Sequence, residues 1–221
     1  ITDYADELLS SLEELDWPEN VKLMQKNWIG KSFGAEIEYK IDASKDSLIT
    51  FSTRPDTIFG VSFLAISPNH PLAIKIAKDN EKISNFLEKC KEAKAAEADM
   101  AKAEKLGIYT NLRVIHPLTG EKLPVWIGNF VLLDYGTGVV MGVPAHDSRD
   151  YEFAKKYNLN IKEVIKNNEE ELPRTENGIL INSDKFNGLS SEEGSKKIIE
   201  ELVKLKSGKQ LIQFRLRDWG V

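Results

Sequence analysis

The sequence predicts an α+β fold whose core is a β-barrel or a curled sheet, with helices packed around the outside. Short stretches typical of strands recur along the 221 residues, separated by glycine and proline turn signals. Helical stretches fall between them at irregular intervals, so strands and helices do not alternate as in a βαβ repeat. No linker rich in glycine, proline or serine divides the chain, and we therefore expect one domain over residues 1–221.

Helices are predicted where apolar residues recur every three to four positions. A leucine stripe that includes Leu8 and Leu12 marks the first helix. Residues 81–105 contain much alanine, lysine and glutamate and no glycine or proline, which favours a long helix. Ser190 and Glu193 have the spacing of a capping box at the start of the last helix. The predicted helices are residues 3–15, 21–28, 71–77, 81–105, 149–157 and 191–206.

Strands are predicted where apolar and polar residues alternate, or where short apolar runs lie between turn signals. Ile37, Tyr39 and Ile41 alternate with polar residues, the pattern of a half-buried strand. Residues 54–57, which contain a proline, are predicted to form a tight turn. The predicted strands are residues 35–41, 48–53, 61–66, 111–115, 123–127, 130–134, 139–143, 161–165, 178–181 and 210–215.

The composition excludes several classes of protein. Hydrophobic residues make up 41% and charged residues 29% of the chain, as in an ordinary globular protein. No apolar run approaches the roughly 20 residues of a membrane helix, and the first residues lack the features of a signal peptide. Cys90 is the single cysteine, so an internal disulfide is excluded and we expect a cytoplasmic protein with Cys90 as a passive helix residue.

Metal sites and extended nucleic-acid surfaces are not expected either. Three histidines and one cysteine, far apart in the sequence, do not have the spacing of zinc ligands. The net charge is −5 and the pI is about 5.4, whereas proteins that follow a long nucleic acid usually have a basic face. A pocket that takes only the end of a strand stays compatible with this charge.

The first candidate site lies in residues 50–60. Four hydroxyl side chains surround Arg54, which could hold a phosphate or a carboxylate; they are Thr50, Ser52, Thr53 and Thr57. The alternative is a threonine-rich strand followed by an Arg-Pro turn with no ligand, and residue types alone favour it.

The second candidate site lies in residues 135–151. Its glycines do not form a dinucleotide loop, because a strand rather than a helix follows them. Asp147 is expected to be the N-cap of the next helix and Asp150 its third residue, where both carboxylates satisfy the helix N-terminus. His146 would then be an ordinary loop histidine. Two carboxylates one turn apart could instead bind a cationic amine.

The order and spacing of both segments resemble the editing domains of bacterial-type leucyl-tRNA synthetases. Residues 52–57, Ser-Thr-Arg-Pro-Asp-Thr, resemble the family's usual Thr-Thr-Arg-Pro-Asp-Thr, with Ser52 as the departure. Residues 136–150 resemble its Gly-Thr-Gly…Val-Pro-(Gly/Ala)-His-Asp-x-Arg-Asp stretch. Residues 28–32 and 214–219 resemble the entry into the inserted domain and the return to the catalytic core. The resemblance therefore covers nearly the whole chain.

The resemblance implies the fold of the class I valine, isoleucine and leucine editing domains, and it implies post-transfer editing. The chain would hydrolyse the aminoacyl ester of tRNA(Leu) carrying isoleucine, valine, methionine or norvaline, and would spare Leu-tRNA(Leu). In the catalytic set, Asp150 would bind the α-ammonium group and Thr57 would collide with the branched side chain of leucine. Ser52 and Thr53 would hydrogen-bond the terminal ribose or the tetrahedral intermediate.

The implied substrate-binding set surrounds these four residues. Arg54 would hold tRNA, and Met141 and Val143 would line the amino-acid pocket. The others would support that pocket; they are Tyr135, His146 and Asp147. No Ser-His-Asp triad is recognisable, so the resemblance favours attack by a positioned water over His146 as a general base.

The implied partners are the CCA 3′ end of tRNA(Leu) and the rest of a parent synthetase. The His-Ile-Gly-His and Lys-Met-Ser-Lys-Ser signatures are absent from the sequence, so ATP and Mg²⁺ would belong to the parent and the domain would need no cofactor or metal. The chain does not begin with methionine, which suggests a fragment cut from a longer chain, expected to be a monomer with no membrane contact.

Two alternatives stay open. A valine-type editing domain usually has glutamate at the position of Asp56 and Lys-Ile-Thr-Pro at residues 141–144, so the leucine type is favoured. A non-catalytic module that binds a tRNA 3′ end or a protein would use Asp147 and Asp150 only as helix caps.

Overall fold

The core of the chain is a seven-stranded mixed sheet. It is seen in a computed structural model that describes residues 1–96, 104–133 and 136–218. A separate two-stranded sheet is formed by β7 and β8. The strands are β1 (Lys31–Ile41), β2 (Ser47–Ser52), β3 (Phe63–Ile66), β4 (Gly107–Ile115), β5 (Lys122–Gly128), β6 (Val139–Gly142), β7 (Ile165–Lys166), β8 (Ile179–Leu180) and β9 (Gly208–Phe214).

Helices surround the sheet, and most of their predicted positions are confirmed. Ser190 and Glu193 form the predicted capping box at the start of the last helix. No helix in the described parts of the chain is long and apolar enough to span a membrane. The α-helices are α1 (Ala5–Glu14), α2 (Glu19–Ile29), α3 (Pro71–Ala77), α4 (Glu81–Ala96), α5 (Ser148–Tyr157) and α6 (Ser191–Lys204), with 3₁₀ helices at Thr2–Tyr4, Pro55–Gly60 and Asp184–Phe186.

β1 organises the sheet because it has neighbours along its whole length. It pairs with β2 on one edge, and with β9 and then β4 on the other. The hydrogen-bonded order is β2-β1-β4-β5-β3-β6, with β9 beside β1. Among the strands that the structure describes, β3 and β5 are parallel and the other pairs are antiparallel.

The two outer strands of this order, β2 and β6, lie against each other. In the described residues no ladder of backbone hydrogen bonds joins them. The hydroxyl of Thr137, just before β6, instead donates to the carbonyl of Ile49 in β2. The sheet is therefore curled without closing, so a mixed α/β fold is shown and the predicted barrel is not confirmed.

The apolar residues of the strands fill a core between the sheet and its helices. Ile37, Tyr39 and Ile41 are all buried, as their alternation predicts. A second cluster of aromatic rings packs α5 against the sheet. Phe153 of α5 lies at its centre, fully buried, with its ring centroid 5.0 Å from that of Phe63 and 4.6 Å from that of Tyr157. This cluster positions the helix that begins beside the candidate site.

The predicted strand at residues 130–134 is wrong over its described part. Phe130 lies in a turn in which the Val131 N–H bonds the carbonyl of Gly128, and the chain leaves the sheet there. The ring of Phe130 packs over Phe153 instead of lying in a strand. Asp134 lies outside the described residues.

Three predicted boundaries are also corrected. The helix expected over residues 81–105 is helical over Glu81–Ala96, and residues 97–103 lie outside the described part. Residues 104–106 are not helical and lead into β4. There the Asn129 side chain bonds the backbone of Glu104 and Leu106.

Of residues 161–165 only Ile165 lies in a strand. The N–H groups of Val164 and Ile165 both bond the side chain of His146. The turn expected at residues 54–57 is the start of a 3₁₀ helix.

We expect Phe153→Ala to lower the free energy of unfolding by about 3–5 kcal/mol, because it leaves a cavity at the centre of the aromatic cluster. Urea unfolding measures this change. Phe33→Ala is the matched control, since Phe33 is 59% exposed and its removal should change stability by roughly 0.5 kcal/mol or less. Similar losses in both variants would contradict the role of the cluster.

Candidate active site

Both candidate segments meet in one cavity of about 230 Å³, where the ends of β2 and β6 come together. Nine of the ten expected site residues line this cavity, together with Phe51, Val140 and Arg149. The tenth, Tyr135, lies outside the described residues. The nine are Ser52, Thr53, Arg54, Thr57, Met141, Val143, His146, Asp147 and Asp150.

The first segment is held in shape by its own hydroxyl groups. The Ser52 oxygen accepts the Arg54 N–H at 3.0 Å, at the point where β2 ends. The Thr57 hydroxyl donates to the Arg54 carbonyl at 2.8 Å, within the 3₁₀ helix that Pro55 begins. Thr57 is therefore buried with its rotamer fixed, whereas Thr53 is exposed on the rim of the cavity. Thr50 is buried but does not line the cavity.

Arg54 is bound to Asp56, a residue absent from the expected site. The Nε and Nη2 atoms of Arg54 both donate to the Asp56 carboxylate, which is 1% exposed. Nη1 donates to the carbonyl of Thr175 at 2.9 Å. A guanidinium group has five N–H donors, so two stay available for a ligand. The role of Arg54 toward tRNA stays a prediction. The sequence did contain a signal for the pair of Arg54 and Asp56, because the two residues are separated only by Pro55.

Asp147 is the N-cap of α5, as predicted. One of its carboxylate oxygens accepts the N–H of Arg149 at 2.8 Å and that of Asp150 at 3.2 Å. This side chain satisfies donors that have no partner inside the helix. The capping role of Asp147 therefore explains its position without any ligand.

Asp150 has different contacts, although it lies only one turn further along. Its Oδ2 atom accepts the N–H of Val143 at 2.8 Å, so it joins α5 to the end of β6. No arginine or lysine among the described residues forms an ion pair with it. Burial, and then the nearby negative charge of Asp147, raises the pKa of Asp150 to about 7. The nearby charge of Arg149 opposes this shift only in part. A buried carboxyl group that lines a cavity and has no ion-pair partner among the described residues is a candidate for binding a cation.

Both ring nitrogen atoms of His146 are hydrogen-bonded to the backbone. Its Nδ1 atom donates to the carbonyl of Arg174 at 2.9 Å, and its Nε2 atom accepts the N–H groups of Val164 and Ile165 at 2.9 and 3.1 Å. Burial lowers the pKa of His146, which keeps the ring neutral. With both nitrogen atoms engaged, this ring has no free lone pair to accept a proton from a reactant.

The wall of the cavity is apolar. Met141 and Val143 are buried at the end of β6, and the Tyr39 hydroxyl contacts the sulfur of Met141 at 3.7 Å. A second lobe, lined by Phe130 and Leu132 among others, shares Met141, Asp147 and Asp150 with the first. The site thus offers two adjoining spaces on either side of one carboxyl group.

Metal ligation finds no support in this arrangement. In the described part of the chain, no group of three or more histidine, cysteine, aspartate or glutamate residues could hold a metal ion. The polar groups at the cavity are hydroxyls, one imidazole, two guanidinium groups and two carboxyls, a set suited to a polar organic ligand.

A family model described as "Leucyl-tRNA synthetase, editing domain" matches residues 26–203. The chain belongs to the leucyl-tRNA synthetase editing-domain family. It is 52% identical over 228 aligned residues to the leucine–tRNA ligases of Pasteurella multocida and Methylobacillus flagellatus. These alignments cover all of this chain but only 26% and 28% of those ligases, so the chain spans about a quarter of their length.

A solved structure shows the same relationship. It is a LeuRS from Agrobacterium radiobacter K84, described as a ternary complex with tRNA and LeuAMS. It is similar to this chain with a TM-score of 0.76 and 31% sequence identity. The similarity covers 98% of this chain and 25% of that one. The family membership favours the leucine type over the valine type of editing domain.

We expect Asp150→Asn to make the domain more sensitive to acid. The folded state holds the Asp150 proton below about pH 7, whereas the unfolded state takes it up only near the ordinary pKa of 3.8, so acidification stabilises the wild-type fold through this group. The Asp150→Asn variant lacks this gain. Between about pH 6.5 and 4.5, its free energy of unfolding should therefore decrease relative to that of wild type by roughly 1.4 kcal/mol for each pH unit of acidification.

Urea unfolding of wild type and variant across that range measures the difference. Glu152→Gln is the control, since it removes an exposed carboxyl group from the same helix and leaves both Asp147 and Asp150 in place. Parallel stability curves for wild type and Asp150→Asn would show that the Asp150 proton is not retained on folding.

Proposed function

We propose that this chain hydrolyses the ester that joins a wrong amino acid to tRNA(Leu), as the editing domain of a leucine–tRNA ligase. The expected substrates carry isoleucine, valine, methionine or norvaline, and Leu-tRNA(Leu) is spared. The observation that carries the proposal is the cavity where both motifs meet, with the buried Asp150 beside an apolar wall and several hydroxyls. An aminoacyl ester has the matching groups: an ammonium, a short aliphatic side chain and a polar ester.

Asp150 binds the α-ammonium group in this proposal. The carboxyl group has a hydrogen bond from the Val143 N–H on one oxygen only, so the other oxygen has lone pairs left for a ligand. Because a cation favours the ionised form, the bound ammonium group lowers the pKa of Asp150 from about 7. The resulting charge-assisted hydrogen bond orients the ester for attack.

Thr57 and the apolar wall select the amino acid. A missing methylene group changes binding by only about 1–3 kcal/mol, which is the general reason why synthetases for small aliphatic amino acids need a second pocket. Met141 and Val143 supply an apolar surface for a linear or β-branched side chain. The Thr57 hydroxyl is committed to the Arg54 carbonyl, so Thr57 cannot turn away from the γ-branch of leucine.

Water is the nucleophile that the site supports best. Its oxygen attacks the ester carbonyl carbon, the bond to the ribose oxygen breaks, and that oxygen takes the proton as the amino acid leaves. The Ser52 oxygen accepts the Arg54 N–H, so its own O–H is available to the ribose or to the developing oxyanion. Thr53 on the rim adds a second hydroxyl. His146 has no part in proton transfer, since both its ring nitrogens bond the backbone.

Only the CCA end of the tRNA enters the domain in this proposal. The net charge of −5 does not suit an extended contact with phosphates. The second lobe beside Asp150 combines apolar side chains with the charged groups of Asp147, Arg149 and Asp150, a lining suited to the terminal base. Arg54 keeps two N–H donors for a phosphate or ribose, and the remaining three quarters of the ligase hold the tRNA body.

We further propose that residues 1–221 act as one inserted domain of a cytoplasmic ligase. ATP and Mg²⁺ would serve the synthetic site elsewhere in that enzyme, whose signatures this sequence lacks. The competing function is a non-catalytic module for tRNA 3′ ends, in which Asp147 and Asp150 serve only the helix. Hydrolysis measurements on variants of the cavity separate the two functions.

We expect Thr57→Ala in the complete synthetase to hydrolyse Leu-tRNA(Leu) as well as Ile-tRNA(Leu), because the smaller side chain admits the γ-branch. The measurement is the rate of deacylation of both substrates by wild type and variant. Thr50→Ala is the matched control, since Thr50 is a buried threonine of the same segment outside the cavity. A variant that still spares Leu-tRNA(Leu) would refute the gate, and a wild type that hydrolyses neither substrate would refute editing.

We expect Asp150→Asn to lower kcat/KM for Ile-tRNA(Leu) by roughly ten- to a hundred-fold, the loss of one charge-assisted hydrogen bond. The effect should appear mainly in KM, because the ammonium group is bound before and during attack. Asp147→Asn lines the same cavity and keeps the cap, so it should stay within about threefold of wild type. A loss confined to kcat would instead make Asp150 a proton acceptor, and equal losses in both variants would leave it a helix residue.

A further inference from the structure

A loop outside both motifs is hydrogen-bonded to residues of the candidate site. It is the polar segment of residues 167–177, which connects β7 to β8. Its ends are tied together at the base of the loop: the Asn167 side-chain amide donates to the Glu169 carboxylate at 2.6 Å and to the Glu176 carbonyl at 3.2 Å. The Glu176 N–H donates to the Glu169 carboxylate at 3.2 Å, so the loop has a defined conformation.

Two adjacent peptides of this loop reach both motifs. The Arg174 N–H donates to the Ala145 carbonyl at 2.8 Å, and the Arg174 carbonyl accepts from Nδ1 of His146 at 2.9 Å. The next carbonyl, of Thr175, accepts from Nη1 of Arg54 at 2.9 Å. One side of the cavity comes from the Arg54 segment and the other from the His146 segment, and this loop bonds both.

The side chain of Arg174 fixes the loop to the rest of the fold. Its Nη1 atom pairs with the Glu163 carboxylate at 2.5 Å, and both side chains are largely shielded from solvent. The Nε–H of Arg174 is buried with no hydrogen-bond partner among the described residues. An unsatisfied buried donor costs stability, so it offsets part of what the pair with Glu163 contributes.

We propose that residues 167–177 are a positioning element of the editing site, which sets the distance between the two motifs and the orientation of Arg54 and His146. The sheet holds the two motifs together on one side only, since β3 pairs with β6 whereas β2, which leads into the Arg54 segment, has no ladder to β6 in the described residues. A third segment that bonds both strands' extensions fixes their separation. The proposal rests on the proposed function, because it assigns the loop to that same site.

The test is a pair of single-glycine insertions in the complete synthetase. A glycine between Arg174 and Thr175 shifts the two carbonyls out of register, whereas a glycine between Glu170 and Glu171 lengthens the same loop at its exposed tip and keeps the register. Because misplacement by about 1 Å can cost a hundredfold in rate, we expect the first insertion to lower kcat/KM for Ile-tRNA(Leu) about ten- to a hundred-fold. The second should stay within about threefold of wild type.

The ratio of kcat/KM for Ile-tRNA(Leu) to that for Leu-tRNA(Leu) distinguishes positioning from simple loss of stability. A partly unfolded domain loses activity toward both substrates equally, whereas a displaced wall changes their ratio. We expect the ratio to fall in the first insertion variant only, with melting temperatures of both variants within a few degrees of each other. Equal kinetic behaviour of the two insertions would overturn the proposal.

A milder variant covers the case in which the first insertion unfolds the domain. Arg174→Met removes the pair with Glu163 and the unpaired Nε–H together, and it leaves the loop length unchanged. We expect it to lower the same substrate ratio several-fold, and Arg174→Lys, which can still reach a carboxylate, to restore it. An unchanged ratio in Arg174→Met, with wild-type editing intact, would also overturn the proposal.

A measurement without hydrolysis separates this proposal from the proposed function. In synthetase prepared with isotope-labelled histidine, NMR should find His146 as the neutral Nδ1–H form with a slowly exchanging proton. We expect that signal to be lost in the first insertion variant and kept in the second. If the wild type does not hydrolyse Ile-tRNA(Leu), the proposed function fails, and a His146 signal unchanged in both variants would show that the loop does not position it.

Discussion

The structure around the site depends on one buried carboxyl group. Asp150 accepts the Val143 N–H, and this bond ties the first turn of α5 to the end of β6. Asp150 has no ion-pair partner among the described residues, and its burial raises the pKa of its carboxyl group to about 7. The aromatic cluster around Phe153, one turn further along α5, supplies the packing that keeps Asp150 in this unfavourable environment. Burying the ionised carboxylate of Asp150 costs free energy of folding. A bound ammonium group would offset that cost by pairing with the carboxylate.

Much of the fold was accessible from the sequence because it follows local rules. The boundaries of α3 and the capping box of α6 agree with the prediction, since a proline start and a Ser-x-x-Glu pattern act within one turn. The strand expected at residues 161–165 forms only at Ile165. A contact that the local pattern does not show lies here, since the His146 side chain accepts the N–H groups of Val164 and Ile165.

The candidate site also has a part that the sequence predicts and a part that it does not. The order of residues in the two motifs was enough to bring nine expected residues to one cavity. Asp56 was not expected, although its spacing from Arg54 carried a signal. The contacts of the loop at residues 167–177 could not be predicted, because they are made by backbone carbonyls. Every residue has a backbone carbonyl, so the residue types do not indicate which carbonyls make contacts.

The contact between β2 and β6 has a consequence for how such a pocket can diversify. In the described residues a single hydroxyl, that of Thr137, bridges strands that elsewhere in the sheet would share a ladder. A ladder locks the spacing of its strands to about 4.8 Å, whereas a side-chain bridge does not. The cavity therefore opens along a seam of the sheet, where the strand spacing depends on contacts outside the backbone ladder.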